Sequence, residues 1–588
     1  MIKATGSQII VRLLEMEGIR TVAGLPGGYI LPLYDELTRS SIKHVLVRHE
    51  QAAGFIAQGM ARSTGKPAVC MVTSGPGVMN LLTSIADARC DSVPVVAFTG
   101  QVNTSLIGTD SFQEADTFGL SFPITKHSMM VTRAVDLFTA IPKAFAIASG
   151  GRPGPVLIDL PKDVQTEVVE FDGWPDLKSL RAGVKSFSET RHSSSRKEIS
   201  EAVPVMAAEL LNARKPVLFA GGGCAGPEAS SCVKAFLDAY TCPVVTSLMG
   251  IGSVPSGAQN NMGMVGMHGS CAANRAMHDA DVVLALGVRF DDRATGLISE
   301  FCPGARILHI DVDAAEINKI LPAAVSLVGQ IQKILPLLTE AVSAKIHPLI
   351  KKSELSANSR ERKLWLSGLR ELKAGTDSVL TGRCRTVPKD SVNPRAFIRD
   401  IPVMAEKAGV RPGNIIVTTD VGQHQMWAAQ YYPVERPRQF LTSGSLGTMG
   451  FGLPAAIGAA LASKGKRVVC ISGDGSILMN VQELITLAEE NLDVTVFVLQ
   501  NGSLGMVRQQ QMYLFKKNYA ASEFRVSPDF LTVARGFKID AVDANADPDW
   551  HKKAFSKGPH LVLLRIDMDE NVLPFVAAGH ANIDPLKA

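Results

Sequence analysis

Residues 467–503 read RVVCISGDGSILMNVQELITLAEENLDVTVFVLQNGS. The runs Arg467–Ile471 and Val494–Leu499 are short, β-branched and apolar, and a helical pattern separates them. Runs that are apolar on both faces predict neighbouring parallel strands in a sheet that is covered by helices. Gly473–Ser476 follows the first run and Asn501–Ser503 follows the second, so these polar residues are expected together at the carboxyl edge of the sheet, where open α/β folds bind ligands.

The same pattern of strand and then helix recurs in three clusters along the chain. The other predicted strands are His44–Val47, Ala68–Thr73, Val95–Thr99, Pro155–Asp159, Pro216–Ala220, Asp281–Leu286, Arg306–Asp311, Asn414–Thr418 and Leu561–Ile566. We therefore predict an α/β protein with three open parallel-sheet domains, at residues 1–170, 195–345 and 385–570.

Segments outside these strands are interpreted from their composition. Residues 184–197 are rich in Ser and charge, and residues 345–393 are charged and weakly periodic, so both are interpreted as linkers or crossing segments. The N-terminus from Met1 is interpreted as an amphipathic helix, because Arg and Glu interrupt the apolar run that a signal peptide needs. Gln439–Ser463 has no charged residue, but its five Gly and one Pro argue against a membrane span.

The overall composition excludes several classes of partner. The 588 residues are 46% hydrophobic and 20% charged, which is typical of a globular protein. The 60 Lys and Arg exceed the 56 Asp and Glu by too little to indicate a nucleic-acid partner. The nine Cys form no CxxC pair, which argues against a disulfide framework or structural zinc and favours a cytoplasmic location.

The strongest chemical signal is Asp474 in a Gly-Asp-Gly turn, with Asn501 placed 27 positions later. A carboxylate and an amide oxygen at adjacent strand ends can share one Mg²⁺, and the glycines let the backbone approach a diphosphate. Alone, Gly-Asp-Gly is more often a simple turn. The pair resembles the motif of thiamine-diphosphate enzymes, in which a backbone carbonyl is the third protein ligand of the metal. The resemblance puts that carbonyl on Ser503.

Glu50 stands where the predicted strand His44–Val47 gives way to a helix. A carboxylate in a first helical turn is favoured by the helix dipole whatever its function. In thiamine-diphosphate enzymes a buried carboxylate at N1′ of the aminopyrimidine drives the tautomer that removes the C2 proton. Such a carboxylate is desolvated, which raises its pKa, and Glu50 is the candidate for this role.

Two further segments of the last third carry candidate cofactor contacts. Ser443–Pro454 is dense in glycine, which implies a close approach of the backbone to a ligand. Met449 or Met506 could be the apolar wedge that bends the thiamine cofactor, although a Met among glycines is more often core filler. The other candidate cofactor contacts of the last third are Gly447, Gln423, His424, Gly475 and Ser476.

The whole chain resembles the catalytic subunits of acetohydroxyacid synthases, also called acetolactate synthases, and is most similar to the isozyme I type. The segments that carry the resemblance are 24–37, 48–77, 110–116, 151–165, 263–269, 287–296, 309–319, 421–427, 446–458 and 473–484. The resemblance implies that the first domain binds the pyrimidine, the central domain binds FAD, and the last domain binds the diphosphate and Mg²⁺.

The resemblance also assigns roles to single positions. Gly28 matches a backbone donor near the reacting carbonyl. Arg293 matches the arginine that binds the carboxylate of the second oxo acid, and its alternative reading is an ion pair with Asp291 or Asp292. The remaining matches are Phe112 and Gln113 at the thiazolium, Lys162 at the entrance, and Met267 as an apolar wall.

The central domain carries a weaker cofactor signal. Pro216–Gly223 is a strand followed by glycines, without the spacing of a dinucleotide fingerprint. By resemblance, Gly222, Gly223, Arg289 and Asp311 are the candidate contacts of an FAD that undergoes no net redox change. Gln330 departs from the family, which often has Asp there.

Gln510 is the most informative departure from the family pattern, because most members have Trp there. That Trp packs on the second substrate and favours 2-oxobutyrate over pyruvate, and it lines the herbicide site. We therefore predict weak preference for 2-oxobutyrate and reduced sensitivity to sulfonylurea-type inhibitors.

The resemblance implies an acetolactate synthase of branched-chain amino-acid biosynthesis. Pyruvate is decarboxylated, and the hydroxyethyl intermediate condenses with a second 2-oxo acid, pyruvate or 2-oxobutyrate. A homodimer or homotetramer is implied, and a small regulatory subunit is common in the family. The alternatives are glyoxylate carboligase or another thiamine carboligase, pyruvate oxidase, an NAD-dependent dehydrogenase and an inactive binding scaffold; the presence of Glu50, Asp474 and Asn501 disfavours the last.

Overall fold

The computed structural model describes residues 1–182, 193–343, 352–382 and 391–586. Three parallel sheets of six strands each organise these residues, so the predicted α/β fold class is confirmed. The first sheet has the spatial order Lys43–Leu46, Thr21–Leu25, Ala68–Val72, Val95–Gln101, Val156–Pro161 and His127–Met130. The central sheet has the order Asn261–Met264, Val244–Thr246, Pro216–Ala220, Val282–Leu286, Arg306–Asp311 and Val325–Val328. The last sheet has the order Phe440–Leu441, Ile415–Thr419, Arg467–Gly473, Val494–Gln500, His560–Arg565 and Asp540–Asp543.

Helices cover both faces of each sheet, as parallel strands require. Those of the first third are Gly6–Met16, Leu31–Leu37, Glu50–Thr64, Pro76–Cys90, Thr117–Ser121, Leu137–Ser149, Lys162–Thr166 and Leu177–Ala182. The helices of the central third are Arg196–Asn212, Pro227–Ala239, Cys271–His278, Asp292–Thr295, Ile331–Ser343 and Lys352–Gly382. The last third has Pro394–Lys407, Gln423–Tyr431, Gly452–Ala462, Asp474–Ile477, Glu483–Glu489, Gly505–Leu514, Phe530–Gly536 and Trp550–Ala554. None of the helices described is both long and apolar enough to cross a membrane.

The first and last sheets are joined by two helices that cross at very short range, Glu50–Thr64 and Gly452–Ala462. A Cβ on Gly59 would lie 2.1 Å from the carbonyl oxygen of Ala455, and a Cβ on Gly458 would lie 2.0 Å from that of Ile56. Glycine is therefore required at both positions, and the close crossing packs the two domains of one chain against each other.

Two sequence interpretations were wrong in part. Ile2–Thr5 is a strand that pairs antiparallel with Val168–Phe171, and the N-terminal helix starts only at Gly6. The interval 345–393, interpreted as a linker or crossing segment of weak periodicity, contains the long helix Lys352–Gly382.

That helix packs on the central domain. Leu366 and Leu369 are buried in its core, and Arg362 donates from Nη1 to the carbonyl oxygens of Leu211 and Ala213. Within 184–197, the last residues begin the helix Arg196–Asn212, which Ser195 caps. Residues 184–192, 345–351 and 383–390 lie outside the described residues, and the domain limits 1–170, 195–345 and 385–570 remain predictions.

Candidate active site

The carboxyl ends of the last sheet open into a cavity of about 1700 Å³ that the central domain also lines. Ligand pockets are ordinarily about 300–1,000 Å³, so this cavity has room for more than one bound group. The predicted site residues that line it are Gly222, Gly223, Met267, Arg289, Arg293, Asp311, Gln330, Gln423, His424, Gly447, Met449, Asp474, Gly475, Ser476, Asn501, Ser503, Met506 and Gln510.

Asp474 and Asn501 meet at the ends of two adjacent strands, as the sequence predicted. Asp474 accepts backbone hydrogen bonds from Gly502 (2.7 Å) and Gly475 (3.1 Å), and among the described residues it has no cationic partner. Burial raises the pKa of Asp474 to about 6. Asn501 Oδ1 accepts from Ser503 N and Oγ over 3.0 and 3.1 Å. A buried carboxylate without a counter-charge, beside an amide oxygen, fits a hard divalent cation.

His424 lies in the same cavity, with its ring between two glycines. A Cβ on Gly473 would be 2.8 Å from His424 Nδ1, and a Cβ on Gly422 would be 2.8 Å from Cε1. Burial lowers the pKa of His424 to about 3, so the ring is neutral, and its Nε2 is buried without a hydrogen-bond partner in the described chain. Gln423 Oε1 accepts from Asn501 Nδ2 over 3.3 Å. An unpaired ring nitrogen beside the metal pair fits a polar ligand such as a diphosphate oxygen.

The loop that carries Gly447 and Met449 is held by the first domain. Asp91 accepts from Gly444 N over 2.8 Å and from Ser445 N over 2.9 Å. Asp87 accepts from Thr448 Oγ1 over 2.9 Å and also from Ser443 Oγ.

Arg62 lies within 3.3 Å of Asp87 and 2.9 Å of Asp91, so one guanidinium faces two buried carboxylates. Burial raises the pKa of Asp87. Burial acts in the same direction on Asp91, but Arg62 and the N–H of Gly444 outweigh it and lower the pKa of that carboxyl.

Arg293 and Met267 face the cavity from the central domain. Arg293 Nη1 is 3.9 Å from Met267 Sδ, and Arg293 Nε is 3.8 Å from Asp292. Asp291 instead caps a helix by accepting from Ala294 N over 3.2 Å. The ion pair that was the alternative interpretation of Arg293 is therefore at most a long contact with Asp292. The side chain of Arg293 is 63% exposed.

The flavin candidates of the central domain line the same cavity. A Cβ on Gly223 would be 2.8 Å from Gly287 Cα, so the strand end is closely packed and requires glycine. Asp311 is buried, its Oδ1 accepts from Asp313 N over 2.8 Å, and burial raises its pKa to about 6. Arg289 donates from Nη1 to the carbonyl oxygen of Cys90 over 2.6 Å.

Five predicted residues form a separate group on the first domain and do not line this cavity, namely Gly28, Glu50, Phe112, Gln113 and Lys162. Glu50 is buried at the start of its helix and accepts from Asn80 Nδ2 over 3.0 Å. Phe112 is 80% exposed. Gln113 has a backbone φ of 61°, in the left-handed region that residues other than glycine rarely adopt. A Cβ on Gly28 would meet only open space. The candidate site residues of one chain therefore fall into two groups, one that lines the cavity and one that does not.

Comparisons with known proteins agree with this organisation. Residues 4–120, 204–338 and 420–563 match the N-terminal TPP binding domain, the central domain and the C-terminal TPP binding domain of thiamine pyrophosphate enzymes. The chain is 43% identical to the acetolactate synthase isozyme 1 large subunit of Escherichia coli, over 99% of this chain and 97% of the relative. It is 40% identical to the isozyme 2 large subunit of the same organism, over 99% of both chains, and 40% identical to the acetolactate synthase large subunit of Corynebacterium glutamicum, over 99% of this chain and 90% of the relative.

The chain belongs to the acetolactate synthase family. Within an acetolactate synthase, the observed cavity brings together the candidates for the diphosphate, the metal, the flavin and the second oxo acid. Asn80 and the pair Asp87 and Asp91 were missed by sequence reasoning. They are ordinary helix residues by composition, and only the fold places them beside Glu50 and the loop of Gly447.

Proposed function

We propose that this acetolactate synthase releases CO₂ from pyruvate and joins the remaining two-carbon unit to C2 of a second 2-oxo acid. Two pyruvates give 2-acetolactate, and pyruvate with 2-oxobutyrate gives 2-aceto-2-hydroxybutyrate, a first step toward the branched-chain amino acids. The observation that carries the proposal is the buried Asp474 beside the half-buried Asn501, at one cavity with Arg293 and Met267.

The cofactors are assigned by the residues that fit them. Bound thiamine diphosphate supplies the carbanion that attacks pyruvate. Asp474, Asn501 and the carbonyl of Ser503 would hold Mg²⁺, and Gln423, His424, Gly447, Gly475 and Ser476 would contact the diphosphate. Glu50 would hold the proton at N1′, and Met449 or Met506 would bend the cofactor. FAD, held by Gly222, Gly223, Arg289 and Asp311, would serve a structural role without redox change.

The substrate roles follow the chemistry of the side chains. Arg293 would bind the carboxylate of the second oxo acid, for which a planar guanidinium is suited. The N–H of Gly28 would stabilise negative charge on the reacting carbonyl. Phe112 and Gln113 would face the thiazolium, and Lys162 would stand at the entrance.

The assembly we propose is a homodimer, with a homotetramer as the higher form. Glu50 and Asp474 belong to separate groups within one chain, and a second copy can bring the first group of one subunit to the second group of the other. The relatives are named large subunits, and we propose a small regulatory subunit as a further partner. The described cysteines form no disulfide, which supports a cytoplasmic location.

The test is acetolactate formation from pyruvate, with and without thiamine diphosphate, Mg²⁺ and FAD. We expect acetolactate only when both thiamine diphosphate and Mg²⁺ are present, and chelation of the metal should abolish it. Consumption of glyoxylate with no acetolactate from pyruvate would instead identify a glyoxylate carboligase. A chain that binds thiamine diphosphate without turning over either substrate would contradict the proposal.

A further inference from the structure

Arg293 and Met267 are carried by two backbone segments that are joined to each other. Met267 N donates to the carbonyl oxygen of Arg293 over 2.9 Å. Gly266 has a φ of 115°, and a Cβ there would lie 2.2 Å from the same oxygen, so only glycine permits this contact. The side chain of Arg293 has only long contacts within the described chain, so this residue is anchored through its backbone.

Two buried asparagines hold this pair of segments. Asn274 accepts from Gly266 N over 2.8 Å and donates to Gly266 O over 3.0 Å and to Asn582 O over 3.1 Å. Asn582 donates from Nδ2 to the carbonyl oxygen of Ala294 over 2.8 Å. Asn274 therefore bonds to the residue before Met267, and Asn582 bonds to the residue after Arg293.

Asn582 belongs to the C-terminal segment, which returns from the last sheet to the central domain. Val576 N donates to Met267 O over 2.9 Å, and Leu297 N donates to His580 O over 3.0 Å. Asn274 and Asn582 are 3% and 5% exposed, and losing a buried amide partner leaves a polar backbone group unpaired.

We propose that Asn582 and Asn274 are positioning residues for Arg293, so that the C-terminal segment sets where the second 2-oxo acid binds. The inference rests on the proposed function, because it assigns Arg293 to the carboxylate of that acid. Neither asparagine lines the cavity, so their loss acts through Arg293 on the second half of the reaction and leaves the first half.

The two halves of the reaction have separable products. Decarboxylation breaks the bond between C1 and C2 of pyruvate and releases CO₂. When the acceptor is in place, a carbon–carbon bond forms to its C2, its carbonyl oxygen takes a proton, and one CO₂ appears per acetolactate. When the acceptor is misplaced, the two-carbon unit takes a proton instead and leaves as acetaldehyde, so CO₂ exceeds acetolactate by the amount of acetaldehyde.

The experiment compares Asn582→Ala and Asn274→Ala with the wild-type chain, loaded with thiamine diphosphate, Mg²⁺ and FAD. Asn545→Ala is the matched control, since Asn545 also bonds a backbone segment, through Arg565 N and O, and does not line the cavity. We expect the acceptor KM of both variants to rise roughly 10- to 100-fold, the effect of a misplacement of about 1 Å. The ratio of CO₂ to acetolactate should rise above one, with acetaldehyde accounting for the excess.

A merely structural role gives a different result. If CO₂ and acetolactate fall together with their ratio at one, or if Asn545→Ala gives the same ratio as Asn582→Ala, the inference is overturned. If Asn582→Ala fails to fold, the ratio of CO₂ to acetolactate is measured on Asn582→Ser, whose shorter polar side chain is milder in its effect on folding. Absence of acetolactate from the wild-type chain would overturn the proposed function, and the inference with it.

Discussion

Thr448 of the last domain donates from Oγ1 to Asp87 Oδ2 of the first domain over 2.9 Å. Asp87 lies on the helix Pro76–Cys90, whose first turns carry Asn80, the partner of Glu50. One helix therefore contacts both groups of candidate site residues. In the homodimer that we propose, these groups would belong to two different active sites, and this helix would join one site to the other.

The first prediction concerns Asp91. Its carboxylate accepts hydrogen bonds from the N–H groups of Gly444 and Ser445, in the loop that carries Gly447 and Met449, and it pairs with Arg62. Asp91→Ala leaves Arg62 without this partner, and breaking a buried ion pair costs about 3–5 kcal/mol. We expect a lower Tm and roughly tenfold weaker binding of thiamine diphosphate, since Gly447 and Met449 move with the loop. Titration of the apoprotein with thiamine diphosphate and Mg²⁺ measures this affinity.

The control for Asp91→Ala is Asp35→Asn, which removes an exposed contact with Arg39. Exposed pairs contribute about 0–1 kcal/mol, so cofactor affinity and Tm should stay near the wild-type values. Unchanged cofactor affinity in Asp91→Ala would contradict the role that we give to the loop.

Mixing of two inactive variants tests whether the site is shared between subunits. Glu50→Gln removes the general-base candidate, and Asp474→Asn removes the candidate metal ligand, so each protein alone should lose about 10²-fold or more of its activity. A heterodimer with a shared site has one active centre with both native residues and one with neither. We expect activity to return on mixing, at about a quarter of the wild-type level if the subunits exchange at random. A mixture as inactive as its components would show that each site lies within one chain.

The fold could be predicted from the sequence where strands are buried on both faces. Pro216–Ala220 and Arg306–Asp311 have the predicted bounds, because apolar runs between polar turns leave little choice of limits. Strands such as His127–Met130 at a sheet edge and Phe440–Leu441 were missed, because they are short or half-covered and carry no continuous apolar run. The helix Lys352–Gly382 was missed because only one of its faces packs, which makes its sequence largely polar.

The contacts of the candidate site likewise include some that the sequence predicts and some that it does not. Asp474 and Asn501 follow strands that the sequence predicts to be adjacent, so their meeting in space could be predicted. Asn582 lies 288 positions from Ala294, and no periodicity or turn signal connects the two. Such a contact depends on the path by which the C-terminal segment reaches the central domain. The local sequence patterns that predict strands and helices carry no information about that path.

Gln510 gives a prediction about substrate preference. It lines the cavity with Arg293 and Met267, the residues at which we propose that the second oxo acid binds. An aromatic ring at position 510 would then pack on that acid. Gln510→Trp should raise the preference for 2-oxobutyrate over pyruvate by roughly tenfold, within the range of about 1–3 kcal/mol that one methylene contributes. Competition of the two acids in one assay measures the ratio, and Gln510→Ala is the control without an aromatic wall. A wild-type chain that already strongly favours 2-oxobutyrate would contradict this role of Gln510.

Asp159 gives a prediction about stability and pH. It is 1% exposed, accepts from Thr99 Oγ1 over 2.6 Å and from Gln101 Nε2 over 3.0 Å, and burial raises its pKa to about 7. An unfolded Asp titrates near pH 3.9, so between about pH 4 and 7 the unfolded chain releases a proton that the folded chain keeps. The stabilising contribution is therefore complete below about pH 4 and is lost as pH rises through 7.

Asp159→Asn removes this titration while keeping the size of the side chain. We expect the Tm of the variant to rise relative to the wild type between about pH 4 and pH 7, since one pKa unit corresponds to about 1.4 kcal/mol. Above about pH 7 the difference should become constant, because Asp159 is then ionised in both the folded and the unfolded chain. Thermal unfolding at several pH values, with Asp35→Asn as the control for a changed surface charge, measures the difference. If the two proteins keep the same difference in Tm at every pH, Asp159 is ionised throughout, and its two hydrogen bonds then outweigh the cost of burying its charge.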